Sequence, residues 1–335
     1  MKYRHRRRML TFPSLRQGRN WMKHIRFRRY HNLSLYRFSR IFFHNLERDE
    51  ILDRANGVAF NFVLAIFPFV IFLFTLIPYI TSFFPAVNKQ SILTYLGQML
   101  PPSMFDVVSG TIVDIVSNQR GGLLTFGFIF ALFLATNGML SLMQAFNACY
   151  RTVEARSIWK MRLTATGLTL LLALVLVLAI VLLVVGQFTI DYLISNAREF
   201  SRLNVDQVTI FSVLLLRFVV IYVVFYFTIA FIYYFGPAVH YNWRFFSVGS
   251  LVATLGCLAV SYGFSFYVTS FGSYNKVYGS IGALIALMIW IQLLTTVLLI
   301  GYEINASLHY GSREQALRNG RSHHGHKRSH SRERS

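Results

Sequence analysis

Two ionisable side chains stand inside long apolar runs of this chain, Arg217 and Glu303. A charge at membrane depth is costly, and it usually faces a bundle interior or a water-filled cavity. Polar neighbours share these helices. At ~100° per residue, Gln292, Thr296 and Glu303 fall within about 40° of one another. Asn137, Ser141 and Gln144 fall within about 60° on a second helix, and Thr254, Ser261 and Ser265 do so on a third. Thr228 lies three turns along from Arg217. Two readings compete. One is a polar cavity between helices that takes a ligand, with Arg217, Glu303, Gln292, Thr296, Asn137, Ser141 and Gln144 as candidates. The other is a set of interhelical hydrogen bonds that only hold the bundle, each worth about 0.6–2 kcal/mol. A guanidinium cannot shed its charge, which favours the cavity for Arg217. By helical rise, Arg217 lies ~13 Å from the outer end of its span and Glu303 ~33 Å from the start of its own, so they do not form a direct pair. Glu303 equally suits the inner interface, near Arg244 or His309.

Other chemistry is missing from the sequence. No His lies within an apolar run, so a Ser–His pair for intramembrane proteolysis is absent. There is no HExxH, no Walker A loop and no GxGxxG, so neither a nucleotide-driven pump nor a cofactor is expected. The acids Glu47, Asp49, Glu50 and Asp53 cluster in sequence, flanked by Arg48 and Arg54. They fall on different helix faces and read as a solvated surface, not as a metal or nuclease centre. Four His fall within "HHGHKRSH" near the end of the chain. That is a compositional metal signal, weighed against a plain polar tail. Cys149 and Cys257 sit at or in apolar runs with no linking spacing; they read as small buried hydrophobes. No catalytic residue, and no enzyme, is expected.

The elements that must hold these residues are helices. The chain has 335 residues, 55% hydrophobic and 14% charged, yet carries a net charge of +20. An oily, basic chain belongs to the membrane class. Six apolar runs, near 58–81, 121–148, 163–186, 208–235, 246–270 and 281–306, are each long enough to cross a bilayer. Lipid offers no partner to a bare amide, so each must be helical. The expected fold is all-α, a polytopic six-helix bundle. The first run follows a long basic arm and reads as a retained anchor, not a cleaved signal. The third, "LTLLLALVLVLAIVLLVV", has no polar seam and suits a lipid-facing position. Pro68 and Pro78 should kink the first, while Gly127, Ala131 and Ala135, with Gly249 and Ala253, supply small residues for close packing.

Charge sets the orientation. Residues 1–57 carry 15 Lys/Arg against 4 Asp/Glu, and segments 149–162, 236–245 and 307–335 are also net positive. Segments 82–120, 187–207 and 271–280 lie between −1 and +1. Positive segments stay inside, so both termini are expected in the cytoplasm. Residues 1–57 read as a basic arm plus an interfacial helix at 36–56, suited to anionic lipid headgroups rather than nucleic acid. Residues 82–120 form an outer loop, with two short amphipathic helices broken at Pro101 and Pro102. Residues 271–280 read as a tight outer turn. Residues 307–335 read as a disordered tail.

One resemblance is extensive. "FYVTSFGSYNKVYGSIGALIALMIWIQLLTTVLLIGYEINASL" resembles the signature end of the YihY/BrkB family of bacterial inner-membrane proteins. "RANGVAFNFVLAIFPFVIFLF" is similar to its first helix. "LATNGMLSLMQAFNACYRTVEARSIWKMRL" resembles its second helix and Arg-containing turn, with Asn147 and Arg156 in place. "YYFGPAVHYNWR" resembles the loop before its fifth helix. Tyr302 departs from the family's usual Ala beside Glu303. The resemblance covers most of residues 50–308 and implies six helices, both termini inside and an inner-membrane location. Members have carried a ribonuclease label that none of these residues supports; transport has been proposed for others. The expected function is a transporter or exporter, not driven by ATP, of a small solute or amphiphile. The alternative is a scaffold that binds headgroups or partners through its basic arms. A homo-oligomer is compatible with either.

Overall fold

The computed structural model describes residues 20–80, 120–196, 207–238, 245–270 and 273–332, with isolated positions between 90 and 114. Six long helices carry the apolar runs. They are preceded by a short amphipathic helix, α1 (Leu35–Arg48). The long helices are α2 (Ile51–Ile80), α3 (Gly121–Cys149), α4 (Ile158–Asn196), α5 (Gln207–Phe235), α6 (Val248–Ser270) and α7 (Ser273–Arg332). Each is long and apolar enough to cross a membrane. The fold is therefore the expected all-α polytopic bundle. Before α1, strands β1 (Arg26–Phe27) and β2 (Leu33–Ser34) pair antiparallel around a turn with His31 and Asn32 at positive φ.

The six helices close into a ring. Each packs on the next in sequence, and α7 closes the circle on α2 while also touching α3 and α1. The core is concentrated toward one end, where α1, the α3–α4 turn and the second half of α7 meet; this is called the basic end below. There the Phe146 ring stacks on Tyr302 at 4.3 Å and meets Tyr233 edge-on at 5.4 Å. Such ring pairs add about 0.5–1.5 kcal/mol each beyond their burial. Tyr302, the departure from the family pattern, is thus a core residue, 1% exposed. Tyr233 Oη donates to the Leu298 carbonyl at 2.5 Å. Outward-facing Phe67, Leu174, Phe218 and Phe266 stay exposed, as lipid-facing side chains must.

Small residues set the closest approach. A Cβ on Gly249 would lie 2.0 Å from the Gly301 carbonyl oxygen, so α6 and α7 touch backbone to backbone. Ala253 extends the same contact, as the small-residue spacing anticipates. Gly127 likewise lies against the Phe72 backbone of α2.

Three segments differ from expectation. The interfacial helix expected over 36–56 breaks at Asp49–Glu50. The Asp49 amide closes on the Asn45 carbonyl, Glu50 takes a positive φ, and residues 51–56 join α2. The break lets Ile51 and Ala55 enter the core. Second, residues 273–280, expected in a turn, already open α7. Third, the expected disordered tail is helical through Arg332. Its first part is apolar or small on one face: Leu308, Gly311 and Ser312 are buried, and a Cβ on Gly311 would lie 2.7 Å from Leu33. Pro68 and Pro78 both lie within α2. The helices expected around Pro101 and Pro102 lie outside the described residues.

Candidate functional site

The sequence 301–305, Gly-Tyr-Glu-Ile-Asn, puts three different jobs on one turn and a half of α7. Gly301 admits α6, and Tyr302 fills the core. Asn305 caps α6 from outside: its Oδ1 accepts from the Gly249 amide at 2.8 Å and its Nδ2 donates to Ser247 Oγ at 2.8 Å. Ser247 Oγ in turn accepts from the Ser250 amide at 3.1 Å. First-turn amides have no partner within their own helix, and these two side chains supply one.

Glu303 faces the opposite way, toward α1. It is 0% exposed. Its Oε1 accepts from Asn45 Nδ2 at 3.0 Å and from Ser307 Oγ at 2.7 Å. Its Oε2 has no hydrogen-bond partner. The buried Cys149 thiol lies close to the carboxyl, but it meets no hydrogen-bond geometry at Oε2 and is a weak donor. No ion pair among the described residues involves Glu303. Asn45 extends the network, since its Oδ1 accepts from Arg151 Nη2 at 3.2 Å. A turn further along α1, Asp49 is 8% exposed and its Oδ2 also lacks a partner. Burial holds the Asp49 carboxyl above its ordinary value, against the opposing pull of Arg151, Arg48, Arg54 and His44. The arrangement is a buried acid, a second acid nearer the basic face, and an Asn and an Arg connecting α1, α3 and α7.

Beside this cluster a polar lock ties two turns together. Arg156 donates to both Glu154 oxygens at 2.8 Å and to the Gly236 carbonyl at 2.8 Å. Asn147 Nδ2 donates to Glu154 Oε2 at 2.9 Å, and its Oδ1 accepts from the Ala238 amide at 2.8 Å. The Arg156 hydrogen bonds hold the Glu154 carboxyl below its ordinary value. Asn147 and Arg156 are the pair that carried part of the family resemblance.

Of the candidates whose side chains are described, only Glu303 enters the buried cluster. Gln292 is exposed, and its Nε2 donates to Asn56 Oδ1 of α2 at 2.7 Å. Thr296 donates back to the Gln292 carbonyl at 2.8 Å. Asn137 accepts from Arg162 of α4 at 2.7 Å, and Ser141 accepts from Asn61 of α2 at 2.9 Å. Gln144 is exposed. Arg217 lies on α5, and its side chain is outside the described residues. The seams are thus spread over neighbouring helix pairs. Asn45, Arg151 and Ser307 were not among the candidates, and Asp49, expected on a solvated helix surface, is buried. No local signal marked Asn45, one polar residue among many on an amphipathic helix.

A closed ring of six membrane-length helices, with an acid buried where they converge, defines a polytopic helical membrane protein. Residues 42–325 match the family model described as "Virulence factor BrkB". The chain belongs to that family. A ribonuclease-like protein of Bacillus subtilis, YfkH, is 34% identical over 262 residues, covering 77% of this chain and 90% of the relative. A UPF0761 membrane protein of Mannheimia succiniciproducens is 25% identical, covering 80% and 88%. Another, from Aggregatibacter aphrophilus, is 23% identical, covering 81% and 91%. No solved structure matches the chain significantly.

Proposed function

We propose that the protein is a secondary transporter or exporter of the bacterial cytoplasmic membrane. Its basic end faces the cytoplasm, and a small solute or amphiphile moves between its helices without nucleotide hydrolysis. Glu303 carries this reading. A bundle that needed only packing would hold Gln there, which could accept from Asn45 and Ser307 without burying a charge-bearing group. An acid kept inside a membrane helix with one oxygen unpaired is a functional feature by default. The aromatic core around Phe146 and Tyr302 supports a conformation closed at the basic end. Arg217, on the opposite half of α5, is proposed as a ligand contact on the far side. The positive segments at the basic end support the orientation.

The test starts with untargeted mass spectrometry of what co-purifies, comparing wild type with Arg217→Ala. Flux of any enriched compound is then measured in proteoliposomes. A compound lost with Arg217→Ala, and moved by wild type but not by Glu303→Gln, supports the reading. Identical co-purification profiles and equal flux would sink it.

A scaffold reading has its own observation. A cavity of about 720 Å³ beside α1 is lined by Arg37, Arg40, Ile41, Phe43, His44 and Glu47 of α1 and by Glu314 of α7. Its mixed polar and apolar wall suits a lipid headgroup at the interface. Deleting residues 1–35, or changing Arg37 and Arg40 to Glu in the cavity wall, with full retention of the cellular phenotype in both would count against this second reading. A nuclease is not proposed: Asp49 is buried while Glu47, Glu50 and Asp53 are exposed, so the four acids do not converge on a metal.

A further inference from the structure

We infer that the Glu303 carboxyl is a proton-binding site, and that Asp49 passes protons between it and the basic face of the protein. The inference rests on the transport reading only for the use the proton is put to.

Three observations lead there. First, two carboxyl oxygens, Glu303 Oε2 and Asp49 Oδ2, are buried and lack partners in one region of the molecule. An unpaired buried carboxylate oxygen is costly, and a proton on it converts it into a neutral donor. Second, Asp49 stands near enough for its charge to act on Glu303. Third, they lie at different depths. Glu303 is sealed beneath α1, whereas Asp49 sits where α1 ends and retains slight exposure. Asn45, one turn before Asp49, holds the inner acid and touches Arg151.

A metal ion fits poorly. Hard cations want about six oxygens. Here Asn45 Oδ1 is already engaged by Arg151, and that guanidinium repels a cation. Among the described residues no group of three His, Cys, Asp or Glu converges. The titratable and charged groups around the pair come from every packed element: His44 and Arg48 on α1, Arg54 on α2, Cys149 and Arg151 at the end of α3, Tyr302 on α7. The cations all bear on Asp49, which suits the outer acid to release its proton.

Infrared difference spectroscopy of the purified full chain tests this, reading the protonated-carboxyl stretch as pH is stepped at constant salt. Among the carboxyl bands that titrate, the expected result is one that disappears in Glu303→Gln. In Asp49→Asn the band should remain with its midpoint moved by about one pH unit, a tenfold change in proton affinity. A band unchanged in Glu303→Gln, or no titrating band in wild type, overturns the assignment. So does a band displaced by added sodium at fixed pH, which would make the ligand a metal ion. Should Glu303→Gln fail to fold, Asn45→Ala replaces it. Loss of the Asn45 donor must shift the band, and an unmoved band overturns the assignment. A band that behaves as expected in protein that moves no solute leaves the proton site standing and removes the transport reading.

Discussion

At the scale of single residues, two side chains in the structure work in opposite thermodynamic directions. Asp49 has its carboxyl pushed up by burial. A group raised in the folded state contributes stability that is full below its ordinary value of 3.8 and lost as pH rises through the folded value. At neutral pH Asp49 is therefore a liability, and Asp49→Asn should raise the thermal midpoint in detergent. The gain should shrink as the sample is acidified; an equal gain at every pH would show that charge is not the cause. Asn305 acts the other way. Asn305→Ala strands the Gly249 amide inside the α6–α7 contact, and should cost about 1–3 kcal/mol, read as a lower thermal midpoint. Glu303 was legible in the sequence because one acid in an apolar run stands out. Asn45 was not, because its partner is 258 positions away and no local period links them.

At the scale of elements, the six long helices were legible because bilayer thickness dictates both their length and their composition. Their ends were less so. The break between α1 and α2 depends on a positive φ at Glu50, a residue type that does not announce a turn. The helical start of α7 at Ser273 overrode a stretch whose Gly residues suggest a bend. The α6–α7 contact offers the sharpest test. Gly249→Ala places a methyl against the Gly301 carbonyl, which is backbone and cannot rotate aside. The two helices must separate, at a cost of about 1–3 kcal/mol or more, and the Asn305 cap is strained with them. Differential scanning measurements should show a clearly destabilised bundle; Gly57→Ala, where a Cβ meets nothing within 4 Å, is the control expected to show no loss and, by helix propensity, a small gain.

For the whole molecule, the topology was only partly legible. Alternating charge predicts which turns share a side, and it agrees with the up-and-down ring. It says nothing about α7 closing on α2, which arises from packing between distant segments. The ring is fastened at its basic end by the Asn147–Glu154–Arg156 lock. Glu154 is held below its ordinary 4.5, so its contribution is full above that value and is lost as pH falls through the lowered one. Arg156→Ala should lower the thermal midpoint at neutral pH, and the deficit should close in acid. Hydrogen exchange should quicken at 150–157 and at 235–238 together, since one side chain ties both turns. Faster exchange in only one of them would mean that the turns are held independently. Finally, α7 is unbroken for 60 residues. At about 1.5 Å per residue that is a rod of roughly 90 Å, some three times the thickness of the oily layer. A rod without a joint transmits torque. Whatever grips or tilts the protruding shaft therefore turns Gly301, Glu303 and Asn305 with it, so the segment furthest from the bilayer is mechanically continuous with the acid sealed inside it.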